Sequence, residues 1–175
     1  SERAFLTGCI RLDNYRRNVN SYVRYFNSQG YYTDGAHPSE DWFYNRKNIN
    51  RYLGFENYRF KENYFEDKYG NGMRLDSNVL PDIFDHVKGA IEHGDRPYFG
   101  FSVTYQGHGP YATTYREWGN GTYYNNPAVS EQSNYILDNY LGSVKDTGWR
   151  LLQFVEKIQA LEEPVVVVVF GDHKP

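Results

Sequence analysis

The sequence predicts an α/β fold: a mainly parallel sheet covered by helices on both faces. Helical and strand patterns alternate along the chain. The strand candidates are solid apolar runs rather than alternating ones, which marks strands buried on both sides. One long helix carries a single apolar stripe. The 175 residues suit one domain spanning 1–175, with no internal repeat and no low-complexity segment.

The elements follow in order. Residues 21–29 carry apolar groups at Tyr22, Val23, Tyr25 and Phe26, and Gly30 suits a helix C-cap. Residues 31–38 form a short strand closing in a Gly-Pro loop. Ser39 or Asp41 caps a helix that runs to Leu53 and stops at Gly54. Residues 55–60 suit a strand, and 61–77, polar and glycine-containing, a loop. A helix is expected from Asn78 to His93, with Pro81 in its first turn and Gly94 after its end. Residues 96–105 are apolar and aromatic enough for a buried strand, and the following stretch to 128 is irregular. Leu137, Leu141, Val144, Gly148, Leu151, Val155 and Ile158 make the stripe of a sheet-covering helix. Pro164 then opens a buried strand through Val165–Val169 and Phe170.

Composition excludes some classes. Nineteen basic and 22 acidic residues leave no basic stripe, so no nucleic-acid partner is expected. A lone Cys9 among Phe5, Leu6 and Ile10 permits no internal disulfide and suits a small core position. No apolar run approaches the ~20 residues of a membrane span, and no signal peptide is present. The chain begins at Ser1 without an initiator Met, so a piece of a larger protein is expected.

Ligands of open α/β sheets collect beyond the carboxyl ends of strands. Two stretches place chemistry there: Gly107-His108-Gly109, after the strand ending near Tyr105, and Gly171-Asp172-His173, after the valine run. Neighbouring strand residues point to opposite faces, so Asp172 and His173 share one metal only once the chain has turned, which Gly171 permits. Carboxylate oxygen and imidazole nitrogen both ligate Zn²⁺ or Mn²⁺. Read alone, an Asp-His pair is more often a solvated loop dipeptide, and His108 reads equally as a surface loop histidine. His86 and His93 sit on a charge-rich helix and read as solvated. Arg46, beside Lys47 and Arg51, reads by itself as solvent-facing.

Five stretches carry a resemblance: SERAFLTG at 1–8, GYYTDGAHP at 30–38, FYNRKNINRYLGF at 43–55, SVTYQGHGPY at 102–111 and VVVFGDHKP at 167–175. In that order the chain resembles the extracellular catalytic domain of lipoteichoic acid synthase-like phosphoglycerol transferases, in the sulfatase and alkaline phosphatase superfamily. The resemblance implies that fold, incomplete at both ends in this chain. It implies that Asp172 and His173 are ligands of a divalent metal, Mn²⁺ by family habit, with Mg²⁺ or Zn²⁺ as other options and the site open to being empty. His108 is implied as the catalytic-site histidine on the phosphate, and Arg46 as the arginine on the phosphoglycerol head. Tyr44 stands where the family often has Trp, and Ser39 near a family Asp; both, with His37, are implied to line the substrate pocket. The guanidinium's planar fork of donors suits two phosphate oxygens, which a lysine does not copy.

The resemblance also implies a threonine nucleophile about three residues before the stretch matched by 1–8, hence outside this chain, along with a metal-binding Glu. With those absent, the isolated chain is expected to hold metal poorly and to show no turnover. The expected parent reaction moves phosphoglycerol from a lipid donor to a polymer or glycan through a threonine-bound intermediate. It would take place on the outer face of the bacterial cytoplasmic membrane, anchored by segments outside this chain. Two alternatives stand. One is a phosphodiesterase, phosphatase or sulfatase of the same superfamily. The other is a non-enzymatic carbohydrate-binding module, since residues 115–126 add to an excess of 18 tyrosines.

Overall fold

The computed structural model of the chain describes residues 2–9, 16–118 and 122–171. Its order is α1 (Glu2–Thr7), α2 (Tyr22–Ser28), β1 (Tyr32–Ala36), α3 (Arg46–Leu53), β2 (Asn57–Arg59), α4 (Glu66–Tyr69), α5 (Asp76–His93), β3 (Tyr98–Ser102) and α6 (Glu131–Gln159). The strands form one sheet in the order β2-β1-β3, parallel throughout, so the expected α/β class holds.

Alternation along the strands separates two unlike faces. Gly35, Tyr58 and Phe101 share a register and point one way. There Phe101 joins Leu6 of α1, Val23 of α2 and Ile49 and Leu53 of α3 in an apolar core, with Tyr58 and Phe99 packed against it. Gly35 is required: a Cβ at this position would meet the Tyr58 ring at 2.2 Å. On the opposite face Ala36 packs with Phe65 and with Val79 of α5.

That second face also holds buried charge. Asp34 of β1 accepts from Arg59 of β2, from Asn57 Nδ2 at 2.7 Å and from the Tyr98 hydroxyl at 2.8 Å. Arg59 Nε lies 3.7 Å from Asp82 of α5. Asp82 in turn accepts from Lys68 Nζ at 2.6 Å and from the Tyr64 hydroxyl at 2.7 Å. His86 belongs to this network, 3.1 Å from the Tyr64 oxygen, so it is not simply solvated as expected; His93 is exposed.

The ends of α2 and α3 follow the sequence signals. Ser21 caps α2, accepting from the Arg24 N–H at 3.1 Å. Gly54, at φ 107°, closes α3 in a left-handed conformation. Side chains of α2 finish the job: Asn27 donates to the Gly54 carbonyl at 2.6 Å and Arg24 to that of Tyr52 at 3.1 Å.

Several expectations are corrected. Neither Ser39 nor Asp41 caps α3; the helix starts at Arg46, after Tyr44 and Asn45 both turn left-handed at φ 53° and 56°. Residues 61–72 are helical turns rather than loop, a π-turn at Lys61–Phe65 leading into α4 and a 3-10 turn at Gly70–Gly72. Helix α5 begins at Asp76, which leaves Pro81 inside it. Strand β3 is shorter than 96–105 and only half-buried. Cys9 is exposed.

Two larger differences concern the C-terminal half. Helix α6 packs on α5, and most of its buried residues are polar or small: Asn134, Asp138, Asn139, Gly142 and Ser143, with Ile158 the one stripe residue among them. Asn134, Asp138 and Asn139 serve the irregular segment beside them. Asp138 accepts the Tyr124 N–H at 2.7 Å, and Asn139 donates to the Ala112 and Tyr115 carbonyls at 3.0 and 2.9 Å. A stretch without ladder partners must bond its backbone somewhere, and α6 supplies the partners. The stripe residues Leu137, Leu141 and Val144 are exposed instead. The valine run, expected as a buried strand, is extended without strand pairing among the described residues, and Val166 is 90% exposed. Phe170 alone turns back, stacking on Phe5 with centroids 4.7 Å apart and lying 6.3 Å from Phe101.

Candidate functional site

The carboxyl ends of β1 and β3 meet at His37. Its backbone N–H bonds the Arg59 carbonyl at 2.8 Å, and the Val103 N–H bonds the Ala36 carbonyl at 2.8 Å. The His37 ring then ties the two strand exits together, with Nδ1 2.9 Å from the Val103 carbonyl. A carbonyl only accepts, so Nδ1 carries the proton and neutral His37 presents Nε2 as an acceptor.

Burial first, then the Arg46 guanidinium and, more weakly, that of Arg74 lower the His37 pKa to about 4; the Val103 carbonyl and Glu2 oppose this. The imidazole is therefore neutral at physiological pH. Because the fold favours the neutral ring, stability is lost as pH falls from the ordinary value of 6.5 toward about 4. An NMR titration of His37 should show its midpoint near 4; an unshifted midpoint would contradict this account.

Arg46 opens α3 and reaches Glu2 of α1, with Nη1 2.6 and 2.7 Å from the two carboxylate oxygens. Its Nε is buried and makes no hydrogen bond among the described residues. The left-handed pair before it lets the chain turn sharply into the helix at this residue.

A second ion cluster links the residues after β1 to those just before α5. The Ser39 hydroxyl donates to Glu40 Oε2 at 2.7 Å, and Arg74 Nη2 reaches both Glu40 oxygens at 3.0 and 3.2 Å. Lys61 approaches the same carboxylate at 3.3 Å. The Ser39 hydroxyl first, then Glu40's own N–H, Lys61 and Arg74 hold the Glu40 carboxyl down to about 2. The Arg74 guanidinium lies over the Tyr105 ring, 4.3 Å from its centroid. Tyr105 stands between the two histidines, 6.0 Å from His37 and 5.2 Å, stacked, from His108. His108 Nδ1 is 2.6 Å from the Gly109 carbonyl, so this nitrogen is the donor.

Of the residues nominated from sequence, His37, Ser39 and His108 are thus connected through Glu40, Arg74 and Tyr105, and Arg46, paired with Glu2, is near enough to His37 to lower its pKa. Tyr44 stays exposed; its ring packs on Phe43 at 4.4 Å and its carbonyl accepts from Arg3 at 2.8 Å. Asp172 and His173 lie outside the described residues. Among the described residues no group of three His, Cys, Asp or Glu side chains is placed to hold a metal ion. The described rim carries arginine guanidiniums and imidazoles, groups whose chemistry suits anions and proton transfer.

A sequence model of the Sulfatase family matches residues 2–175. The chain belongs to the sulfatase family. A protein of Rhizobium meliloti (strain 1021), named for cyclic beta-1,2-glucan modification, is 30% identical over 174 residues. The match takes in 98% of this sulfatase chain and 26% of that relative, so the chain spans about a quarter of the relative's length. The lipoteichoic acid synthase LtaP of Listeria monocytogenes superposes with a TM-score of 0.67 at 15% identity, over 90% of this chain and 39% of that one. A protein of the alkaline phosphatase superfamily from Vibrio parahaemolyticus gives 0.67 at 19% identity, over 92% of this chain and 38% of that one. The fold is that of the alkaline phosphatase and sulfatase superfamily, and the chain carries part of such a domain.

Sequence reasoning missed four members of the sulfatase rim: Glu2, Glu40, Arg74 and Tyr105. Glu2 meets Arg46 across 44 residues and Arg74 meets Glu40 across 34, so no local pattern announces either pair. Tyr105 was within reach, because it lies three residues before the glycine-flanked His108 at a strand exit.

Proposed function

We propose that this domain is the phosphate-binding part of an enzyme that transfers phosphoglycerol from a lipid donor to a glucan or polymer acceptor. The observation that carries the proposal is the state of Arg46. Glu2 fixes one of its nitrogens and leaves Nε buried without an acceptor. A buried donor without a partner costs roughly 1–3 kcal/mol, which an incoming phosphate oxygen relieves. Neutral His37, whose pKa the Arg46 charge helps to lower, accepts a hydrogen bond, or a proton, from a substrate hydroxyl through Nε2. His108 supplies a second imidazole across Tyr105. Ser39 is committed to Glu40 and acts on the shape of the pocket rather than on substrate; Tyr44 is left to contact the more distant parts of a glycerol or lipid head.

The acceptor class is supported by the relative named for glucan modification, and the donor by the likeness to a lipoteichoic acid synthase. Under this reading a threonine outside the chain carries the covalent intermediate. Asp172 and His173 would be among the residues holding a divalent metal, Mn²⁺, which when bound would supply positive charge to the transferring group. The reaction then belongs on the outer face of the cytoplasmic membrane. The sulfatase family match favours a second reading, in which water takes the group and the enzyme is a hydrolase.

The test uses the natural full-length protein, a lipid donor with labelled phosphoglycerol, cyclic β-1,2-glucan and Mn²⁺. Label on the glucan is the expected result. Label released only as free glycerophosphate would establish the hydrolase instead. Glucan retention that survives chelation, with no movement of label, would leave a binding module.

A further inference from the structure

The loop that presents His108 has no strand or helix of its own, yet it is pinned at one residue. Gln106 Oε1 accepts the backbone N–H of Asp76, the first residue of α5, at 2.8 Å. Its Nε2 donates to Asp146 Oδ2 of α6 at 3.0 Å and lies 3.4 Å from the Thr147 hydroxyl. Thr147 closes the ring by donating to Asp76 Oδ2 at 2.6 Å. One amide thus grips the start of α5 and the middle of α6 at once, and uses both its acceptor and its donor to do so.

Two residues later the chain reaches His108. The intervening turn is short and defined: the His108 N–H bonds the Tyr105 carbonyl at 2.9 Å, and the Tyr111 hydroxyl bonds the Gly107 carbonyl at 2.7 Å. On the other side of Gln106, Tyr105 is held by Arg74, two residues before α5 begins. The imidazole is therefore carried by a turn that the α5–α6 junction holds through Gln106.

We propose that Gln106 is a positioning residue for His108, acting through this turn and not on the substrate itself. The proposal rests on the reading that His108 works on the substrate's phosphate. Holding a reacting group in place matters because a displacement of about 1 Å costs on the order of 10²-fold in rate.

The experiment compares Gln106→Met, which keeps length and packing but loses both hydrogen bonds, with His108→Ala and the double variant in the full-length protein. Gln106→Met should lower kcat by about 10- to 100-fold with KM changed less than about twofold. In the His108→Ala background the same substitution should change kcat by less than about twofold, since its route of action is already gone. Hydrogen exchange at the Gly107 and His108 amides should quicken by about an order of magnitude while α5 beyond Leu80 keeps its protection. Equal losses in both backgrounds would overturn the proposal, and so would unchanged exchange at those amides. If the wild type transfers nothing, the functional reading falls on its own, and the exchange result alone decides whether Gln106 fixes the turn. Should Gln106→Met fail to fold, Gln106→Glu keeps the acceptor for Asp76 and loses the donor toward Asp146. It should shift kcat and exchange in the same directions, and no shift in either would overturn the proposal.

Discussion

Arg59→Met is expected to lower the stability of the domain by about 3–5 kcal/mol, out of the roughly 5–15 kcal/mol typical of a native fold. Arg59 is 4% exposed and lies between two carboxylates that are themselves buried, Asp34 and Asp82. Without the guanidinium, Asp34 keeps two neutral donors, Asn57 and Tyr98, but no counter-charge in hydrogen-bond contact. Asp82 fares better, because Lys68 and Tyr64 still reach it. The loss therefore falls mainly on Asp34, whose carboxylate is left desolvated and unpaired. Adding Asp34→Asn to Arg59→Met removes that stranded charge and should restore part of the loss. Denaturant unfolding of the three proteins checks this. A loss below about 1 kcal/mol for the single variant would show that the pair carries little of the fold.

The same network explains why some of the fold was legible and some was not. Helix α2 was legible because its signals are local: Ser21 before it, Gly30 after it, apolar residues facing one way. Strand β1 was legible in extent, but Asp34 and Gly35 within it are unlike a strand interior. One faces the ion network and the other gives way to the Tyr58 ring. The start of α3 was not legible, because a left-handed Tyr44-Asn45 pair has no cap signature.

Helix α6 shows a deeper limit. Its apolar stripe is real in sequence and buries Ile158, but nearer the start of the helix the fold buries Asn134, Asp138 and Asn139, which bond the backbone at Ala112, Tyr115, Tyr124 and Asn126. Periodicity counts apolar area and is blind to unpaired carbonyls and N–H groups, which are as demanding a reason for burial. The valine run is the converse case. Apolarity announces a need for cover without naming the neighbour, and Phe170 finds its cover on Phe5 and Phe101. At the site, residues beside strand exits were legible as chemistry, since histidines between or after glycines stand out. Their partners Glu2 and Arg74 were not, because fold topology and not spacing brings them in.

Arg46→Lys separates charge from geometry at the rim. Lysine keeps a cation for Glu2, so the melting temperature should stay near that of the wild type. It also keeps positive charge near His37, whose ring should remain neutral at pH 7. What lysine lacks is Nε on a rigid plane, the donor that is buried and unpartnered in Arg46. A hydrogen bond to a charged group is worth about 1.5–3 kcal/mol, so affinity for sn-glycerol phosphate should fall by about 10- to 100-fold. Arg46→Ala should behave differently. It strands Glu2 in a mostly buried position and removes the largest cationic influence on His37, so that ring's pKa should rise and stability should fall as well. Calorimetric titration with glycerol phosphate, thermal melts and the His37 titration together distinguish the two variants. If Arg46→Lys binds the phosphate as well as the wild type does, then the arginine serves only as Glu2's counter-ion, and the rim has no phosphate fork.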